Sequence, residues 1–261
     1  MNILEKISIY ILARLIQFTA NLVKGFCYLF HLLFPNKRFT LPRHSSPLIK
    51  SSNKNKIPNI LWQTNFTNNV TLAVYINYLF NRLFAPQYEY RFMTTEDRSD
   101  FIKANYSNDI FQAYSKLQIG ASQADFWRIL ILQKHGGIYL DIDAHFVCPL
   151  NLLIKKHYSE LYLIRKQGNF SNHFIASRKK HPNLEKIINL ILKNIHENKI
   201  KCIYSLTGPE VFNKVLNIHE VNSEKYLFIC SQGNFTNEYF QYIDKKEGKW
   251  TKAQQKIKIV S

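Results

Sequence analysis

The chain is expected to fold as an α/β domain with a mostly parallel sheet, preceded by an amphipathic helical segment. From Ile57 onward, short apolar strand-like runs alternate with runs of helical spacing, the signature of that class. With 46% hydrophobic and 14% aromatic residues among 261, the chain can bury a full core, which excludes disordered and fibrous classes. No internal repeat is visible, and the length suits one large domain with an appendage.

Within residues 7–34, Ile7, Ile11, Leu15, Phe18 and Leu22 recur at spacings of three and four, the pattern of one apolar helix face. Arg14, Gln17, Asn21 and Lys24 are spaced likewise as a polar stripe. Arg14 and Lys24 interrupt the roughly 20 uncharged residues that a membrane span wants, and no small-residue cleavage site follows. Residues 1–34 are therefore expected to lie in a membrane headgroup layer, with 35–56, rich in Pro, Ser and basic residues, as a basic linker. Ile57–Thr64 reads as a buried first strand and 71–84 as a helix. Glu89–Met93 reads as a second strand, with helices from Thr95 to about Lys103 and over Asp109–Leu117. The main domain is expected over 57–250, with 251–261 a basic tail.

The formal charge of +17 invites a polyanion reading. Residues 1–56 hold nine bases and Glu5, hence +8, and residues 245–261 hold six lysines and Glu247, hence +5. The remaining +4 on 57–244 is too weak a field for nucleic acid, and no such motif is present. An anionic membrane surface is the expected partner of the ends. Cys27, Cys148, Cys202 and Cys230 are dispersed, without zinc spacing or a disulfide framework.

The chemistry concentrates at 118–150. Ser122 can cap a helix with Ala124, Trp127, Leu130 and Ile131 on its core side, and Asp125 and Arg128 share one face of it. Gly136-Gly137 ends that helix, and Ile138–Leu140 is a short strand delivering Asp141 and Asp143 at its carboxyl end. In extended chain these two carboxylates point the same way. Their hard oxygens suit Mg²⁺ or Mn²⁺ with positions left open for a diphosphate. Two other classes compete. A phosphohydrolase of the haloacid dehalogenase type would use Asp141 as nucleophile, but the chain lacks the paired downstream acids and Asp125–Arg128 would have no role. A non-enzymatic basic membrane-binding protein would rely on the terminal charge alone.

The motif Ala-Asp125-x-x-Arg128 through Gly136-Gly137-Ile-Tyr-x-Asp141-x-Asp143 resembles the DXD-containing sugar-binding region of glycosyltransferase family 32. Ile57-Pro58-Asn-Ile-Leu-Trp62-Gln63-Thr64 is similar to that family's first strand. Asn172–Ala176, His181-Pro182 and Thr207-Gly208-Pro209 match further landmarks. The resemblance implies a GT-A fold, a nucleotide-sugar donor and divalent Mn²⁺ or Mg²⁺. Asp125 and Arg128 would contact the donor sugar, Asp141 ribose and sugar, and Asp143 the metal. Trp62 and Gln63 would lie near the nucleotide, with Asn172 also on the donor. Where the family often has a histidine near its C-terminus, Asp244 is a candidate further metal ligand and Lys249 a candidate phosphate contact. The implied reaction is retaining transfer to a hydroxyl of a glycan or lipid-linked glycan, as in capsule or lipopolysaccharide synthesis. The expected location is the cytoplasmic face of a bacterial inner membrane. The Asn-x-Ser/Thr sequons at Asn65, Asn69, Asn105, Asn169 and Asn234 permit a luminal Golgi alternative.

Overall fold

The computed structural model describes residues 3–50, 55–245 and 248–261. Helix α1 (Ile3–Leu33) opens the chain, followed by short strands β1 (Phe39–Thr40) and β2 (His44–Ser45). The first half of the domain then runs β3 (Ile60–Thr64), β4 (Asn69–Val70), α2 (Leu72–Phe84), β5 (Glu89–Met93), α3 (Thr95–Asn105) and α4 (Asn108–Lys116). The central unit comprises α5 (Gly120–His135), β6 (Gly137–Leu140) and β7 (Ala144–Phe146). After α6 (Leu150–Leu153) come β8 (Glu160–Ile164), β9 (Phe170–Ser177), α7 (Pro182–Glu197), α8 (Ile203–Leu206) and α9 (Pro209–Val215). The chain ends with β10 (Ser223–Lys225), β11 (Cys230–Gln232), α10 (Glu238–Tyr242) and α11 (Trp250–Lys256).

Seven strands form the central sheet in the order β10-β8-β9-β6-β3-β5-β2. Helical crossovers carry the chain from β3 to β5 and from β5 to β6, so β3 runs parallel to both neighbours. The strand alternation feeds two cores. Leu61, Ile138, Leu140 and Phe174 face one, while Trp62, Tyr139 and Ile175 face the other. The sheet is mixed rather than mostly parallel. β8 returns directly as β9 through a tight turn at Gly168 (φ +88°), so β9 runs antiparallel to both β8 and β6.

Three segments differ from the sequence reading. The 35–56 stretch is not a free linker: β2 pairs antiparallel with β5 as a sheet edge, β1 pairs with β4, and Leu41 between them is fully buried. Part of that stretch, residues 51–54, lies outside the described residues. The 251–261 tail folds back as well, since Ile259 and Val260 are buried and Val260 bridges Leu117. Helix α1, expected to lie only in a headgroup layer, also packs on the body along a second stripe. Ile9, Ile16, Ala20, Cys27 and His31 are buried, and Ile7, Ile11, Leu15, Phe18 and Leu22 are exposed. No described helix is long and apolar enough to cross a membrane.

Helix α5 begins at Gly120 with Ile119 as its N-cap, three residues before the cap expected at Ser122. The Ser122 hydroxyl donates to the Ile119 carbonyl inside the first turn instead. Every residue from Asp125 to Leu132 is buried, so this is a central helix enclosed all round rather than a surface amphipathic one. Its end is set by two glycines with positive φ, Gly136 (+69°) and Gly137 (+109°). A Cβ on Gly137 would stand 2.7 Å from the Ile60 carbonyl and 3.0 Å from Trp62 Nε1. That close approach lets β6 dock on β3, and Trp62 locks it by donating to the Gly136 carbonyl at 3.0 Å. Gly137→Ala is expected to cost roughly 1–3 kcal/mol from the backbone conformation alone, with more from the clash. Chemical denaturation measures this, and an unchanged midpoint and slope would refute it.

Candidate active site at the strand ends

A cleft of about 520 Å³ opens where β3 and β6 end and α5 begins, closed on its far side by the C-terminal segment around α10 and α11. Ligands of open α/β sheets bind at this edge, beyond the carboxyl ends of the strands. At its floor sits the Arg128 guanidinium. Its Nη2 pairs with Asp125 Oδ1 at 2.9 Å and its Nη1 with Asp141 Oδ1 at 3.1 Å, while Nη1 also donates to the Asn172 carbonyl at 2.7 Å. The cation lies 4.3 Å from the Tyr139 ring centroid, and the Tyr139 hydroxyl donates to Asp141 Oδ1 at 2.7 Å. Asp125 also accepts from Asn172 Nδ2 and, more weakly, from the Thr207 hydroxyl. The structure therefore brings together Asp125, Arg128, Asp141 and Asn172 from α5, the end of β6, and β9. Thr207 joins them from the stretch between α8 and α9.

Asp143 joins this group, but not as the extended-chain argument expected. The chain turns after Leu140, with the Ala144 amide donating to the Asp141 carbonyl at 3.0 Å, so the motif sits on a turn. The two carboxylates converge on one side chain that sequence reasoning missed. Gln232 Nε2 donates to Asp141 Oδ2 at 3.2 Å and to Asp143 Oδ1 at 3.1 Å. Gln232 arrives there because β11 pairs antiparallel with β7, opposite Ala144. It lies 89 residues from Asp143 in sequence, and no local signal marks it.

The electrostatics follow from crowding. Burial raises the Asp125 carboxyl to about 6 against the pull of Arg128. Close packing and the neighbouring Asp141 raise Asp143 to about 7. Arg128 is held charged by its carboxylates. One guanidinium among three carboxylates leaves a formal charge of −2 when all are ionised. No described cluster of three His, Cys, Asp or Glu could hold a metal by itself. A divalent cation still fits here: two carboxylate oxygens converge on the point an amide donor now holds, the site reaches charge −2 once its carboxylates ionise, and a magnesium-type ion takes one or two carboxylates and leaves its other positions to phosphates.

Three expected site residues lie elsewhere. Trp62 is a core aromatic, 1% exposed and committed to the Gly136 carbonyl. Gln63 is fully buried; it donates to the Asp141 carbonyl and accepts from the Tyr90 hydroxyl, so it supports the motif from behind. Thr64, Asn65 and Phe66, just beyond, reach the cleft instead. Asp244 does not join the cluster: it does not line the cleft, and Arg38 holds both of its oxygens, at 2.6 and 2.7 Å. Lys249 lines the cleft but is paired with Glu238. The sequon residue Asn234 is buried, its amide donating to the Ser231 hydroxyl and to His145 Nε2. That assignment follows because His145 Nδ1 donates to the Phe146 carbonyl.

Residues 73–160 match the family model described as a glycosyltransferase sugar-binding region containing a DXD motif. That interval contains Asp125, Arg128, Asp141 and Asp143. Over that third of its length the chain carries a DXD-containing glycosyltransferase sugar-binding region. It is 31% identical over 153 residues to a glycosyltransferase of Acanthamoeba polyphaga mimivirus, covering 53% of this chain and 59% of that protein. It is 32% identical over 127 residues to inositol phosphoceramide mannosyltransferase 3 of Schizosaccharomyces pombe, covering 48% of this chain and 35% of the relative. The match thus spans about a third to three-fifths of these relatives. In three dimensions the chain shares its fold with the PaToxG glycosyltransferase, with a TM-score of 0.52 at 18% identity over 82% of this chain and 79% of that one. The phosphohydrolase alternative finds no support, because the matched region is a glycosyltransferase one.

Two outcomes are expected. Arg128→Gln leaves buried carboxylates without their cation and should cost about 3–5 kcal/mol, read by denaturant unfolding. Asp143 ordinarily titrates at 3.8 and here near 7, so the folded state holds a proton that the unfolded state releases. Its stabilising contribution is complete below pH 4 and is lost as pH rises toward 7. In EDTA, wild type minus Asp143→Asn stability should therefore fall between pH 4 and 7. A flat difference would contradict this.

Proposed function

We propose that this chain is a metal-dependent, retaining GT-A glycosyltransferase. It moves a hexosyl group from a nucleotide-sugar donor to a hydroxyl of a glycan or glycolipid. The observation that carries this reading is the Asp125–Arg128–Asp141–Asp143 cluster at the floor of the strand-end cleft, inside the sugar-binding region. Asp141 and Asp143 would hold Mn²⁺ or Mg²⁺ together with the donor diphosphate. When bound, such an ion supplies Lewis-acid stabilisation of the charge that builds on the leaving nucleoside diphosphate.

The chain's own groups do the orienting. Arg128 has its donors committed to Asp125, Asp141 and two carbonyls, so it acts by fixing the carboxylates rather than by gripping substrate. Asn172 and Thr207 hold Asp125 in place beside the cleft. The carboxylates lining the cleft are each engaged by donors, Glu238 by Lys249 and Lys252. In the retaining reading no carboxylate acts as nucleophile, and the acceptor proton passes to the leaving-group oxygen as the sugar–phosphate bond breaks.

The acceptor we favour is lipid-borne. A relative is named for inositol phosphoceramide, and the N-terminal 56 residues carry +8. A role in cell-surface polysaccharide synthesis at the cytoplasmic face of a bacterial membrane fits that address.

The test is a panel of nucleotide sugars with Mn²⁺, following donor hydrolysis and thermal stabilisation. One donor should raise the melting temperature and be hydrolysed, EDTA should abolish both effects, and Asp143→Ala should lower turnover at least about a hundredfold. Undiminished turnover by Asp143→Ala in EDTA would end the metal-dependent reading.

A further inference from the structure

Helix α1 has two apolar faces, and only one is used by the fold. The inner stripe is seated on the body through Ile9, Ile16, Ala20 and Cys27. On the opposite side Leu4, Ile7, Ile11, Leu15, Phe18, Leu22, Phe26, Leu29 and Leu33 follow one another at spacings of three and four. Leu4 is 75% exposed, Phe18 66% and Leu33 65%. At about 1.5 Å per residue the stripe is some 44 Å long. A continuous apolar strip of that size on a protein surface marks an interaction site.

We infer that this outer face of α1 is a docking surface for an anionic lipid bilayer, with the helix lying in the plane of the headgroups. The inference rests on the membrane reading above for its acceptor, and on the helix geometry alone for the surface.

Three features select the bilayer. First, Glu5 is the only acid among residues 1–56 against nine bases, so the partner is negatively charged. Three of those bases are spent on the body, Arg38 with Asp244, Arg43 with Asp97 and Lys24 with the Gly233 carbonyl. Arg14 stays at the surface beside the stripe, held by Tyr10 and Gln17, and Lys37 is exposed just past the helix end. Second, a copy of this chain is the wrong partner, since pairing two such faces would bring like-charged basic segments together. Third, the inner face is fastened. Lys24 Nζ donates to the Gly233 carbonyl at 2.8 Å, the Tyr28 hydroxyl accepts from Asn237, and His31 Nε2 accepts from the Leu72 amide. A helix tied down along one side presents its other side flat, the geometry of an interfacial helix rather than a span.

The same fastenings say where the lipid lies relative to the chemistry. Gly233 follows Gln232, which bridges Asp141 and Asp143, and Asn237 caps α10, whose residues line the cleft. The C-terminal half of α1 is thus bonded to the cleft wall, and docking would set that wall beside the bilayer. A lipid-anchored acceptor would meet it there, whereas a water-soluble one gains nothing from docking.

The experiment is flotation of the full chain with vesicles of phosphatidylcholine alone or mixed with phosphatidylglycerol, at low and high salt. A triple variant, Leu15→Ser, Phe18→Ser and Leu22→Ser, and the single Arg14→Glu are tested alongside. Wild type should float with the anionic vesicles, more weakly at high salt. The triple variant should bind at least about tenfold more weakly while melting at the wild-type temperature. Arg14→Glu should weaken binding to anionic vesicles only. Absence of wild-type binding, equal binding to neutral vesicles, or a wild-type dimer that the triple variant converts to monomer would each overturn the inference, the last in favour of a second copy. Donor hydrolysis in vesicle-free buffer separates the two readings. It should be equal in wild type and triple variant, and its absence from both would count against the transferase chemistry while leaving the docking result standing.

Discussion

The buried guanidinium of Arg128 is the interaction on which the site depends. Its side chain is 6% exposed, yet it touches groups from α5, the end of β6, and β9. A buried cation is tolerable only when its donors are satisfied, and here carboxylates, carbonyls and the face of Tyr139 satisfy them. The converse also holds. Asp125, Asp141 and Asp143 could not be gathered at one cleft edge without a positive charge among them. One guanidinium does not balance three carboxylates, and the charge left over is what would attract a divalent cation in the function proposed.

Around that charge cluster the backbone is arranged for close approach. Gly136 and Gly137 take conformations with positive φ, so that β6 lies hard against β3, and Trp62 and Gln63 clamp the result from behind. Both were expected to touch the donor. Their burial gives them a structural role at the start of the domain. Beyond the strand end, Thr64, Asn65 and Phe66 line the cleft instead.

The far wall of the cleft is built by residues distant in sequence, and helix α1 supports it. β11 carries Gln232 to the two carboxylates, Lys24 holds the next residue, and Arg38 holds Asp244 farther on. The N-terminal segment is therefore part of the catalytic body and not an appendage joined by a loose linker. A helix with one apolar face in the core and another at the surface joins the site to whatever that second face meets.

Local pattern was enough to reveal the α/β class, the glycine-terminated helix and the Asp125–Arg128 and Asp141–Asp143 pairs. Spacing along one helix or strand fixes which side chains share a face, and glycine pairs advertise backbone that other residues resist. The same local logic misplaced what depends on distant contacts. An apolar stripe on α1 does not say which of two stripes the body will cover, and a Pro-rich basic stretch does not disclose that β2 will find the edge of β5. Asp244 beside lysines looked like a ligand, but folding leaves it off the cleft lining, with both its oxygens held by Arg38, 206 residues earlier. Gln232 could be found only by folding the chain, because its role comes from strand pairing and amide reach rather than from its neighbours in sequence. Short-range sterics and periodicity are written residue by residue; the closing of a charged site by a remote strand is decided only when the whole core packs.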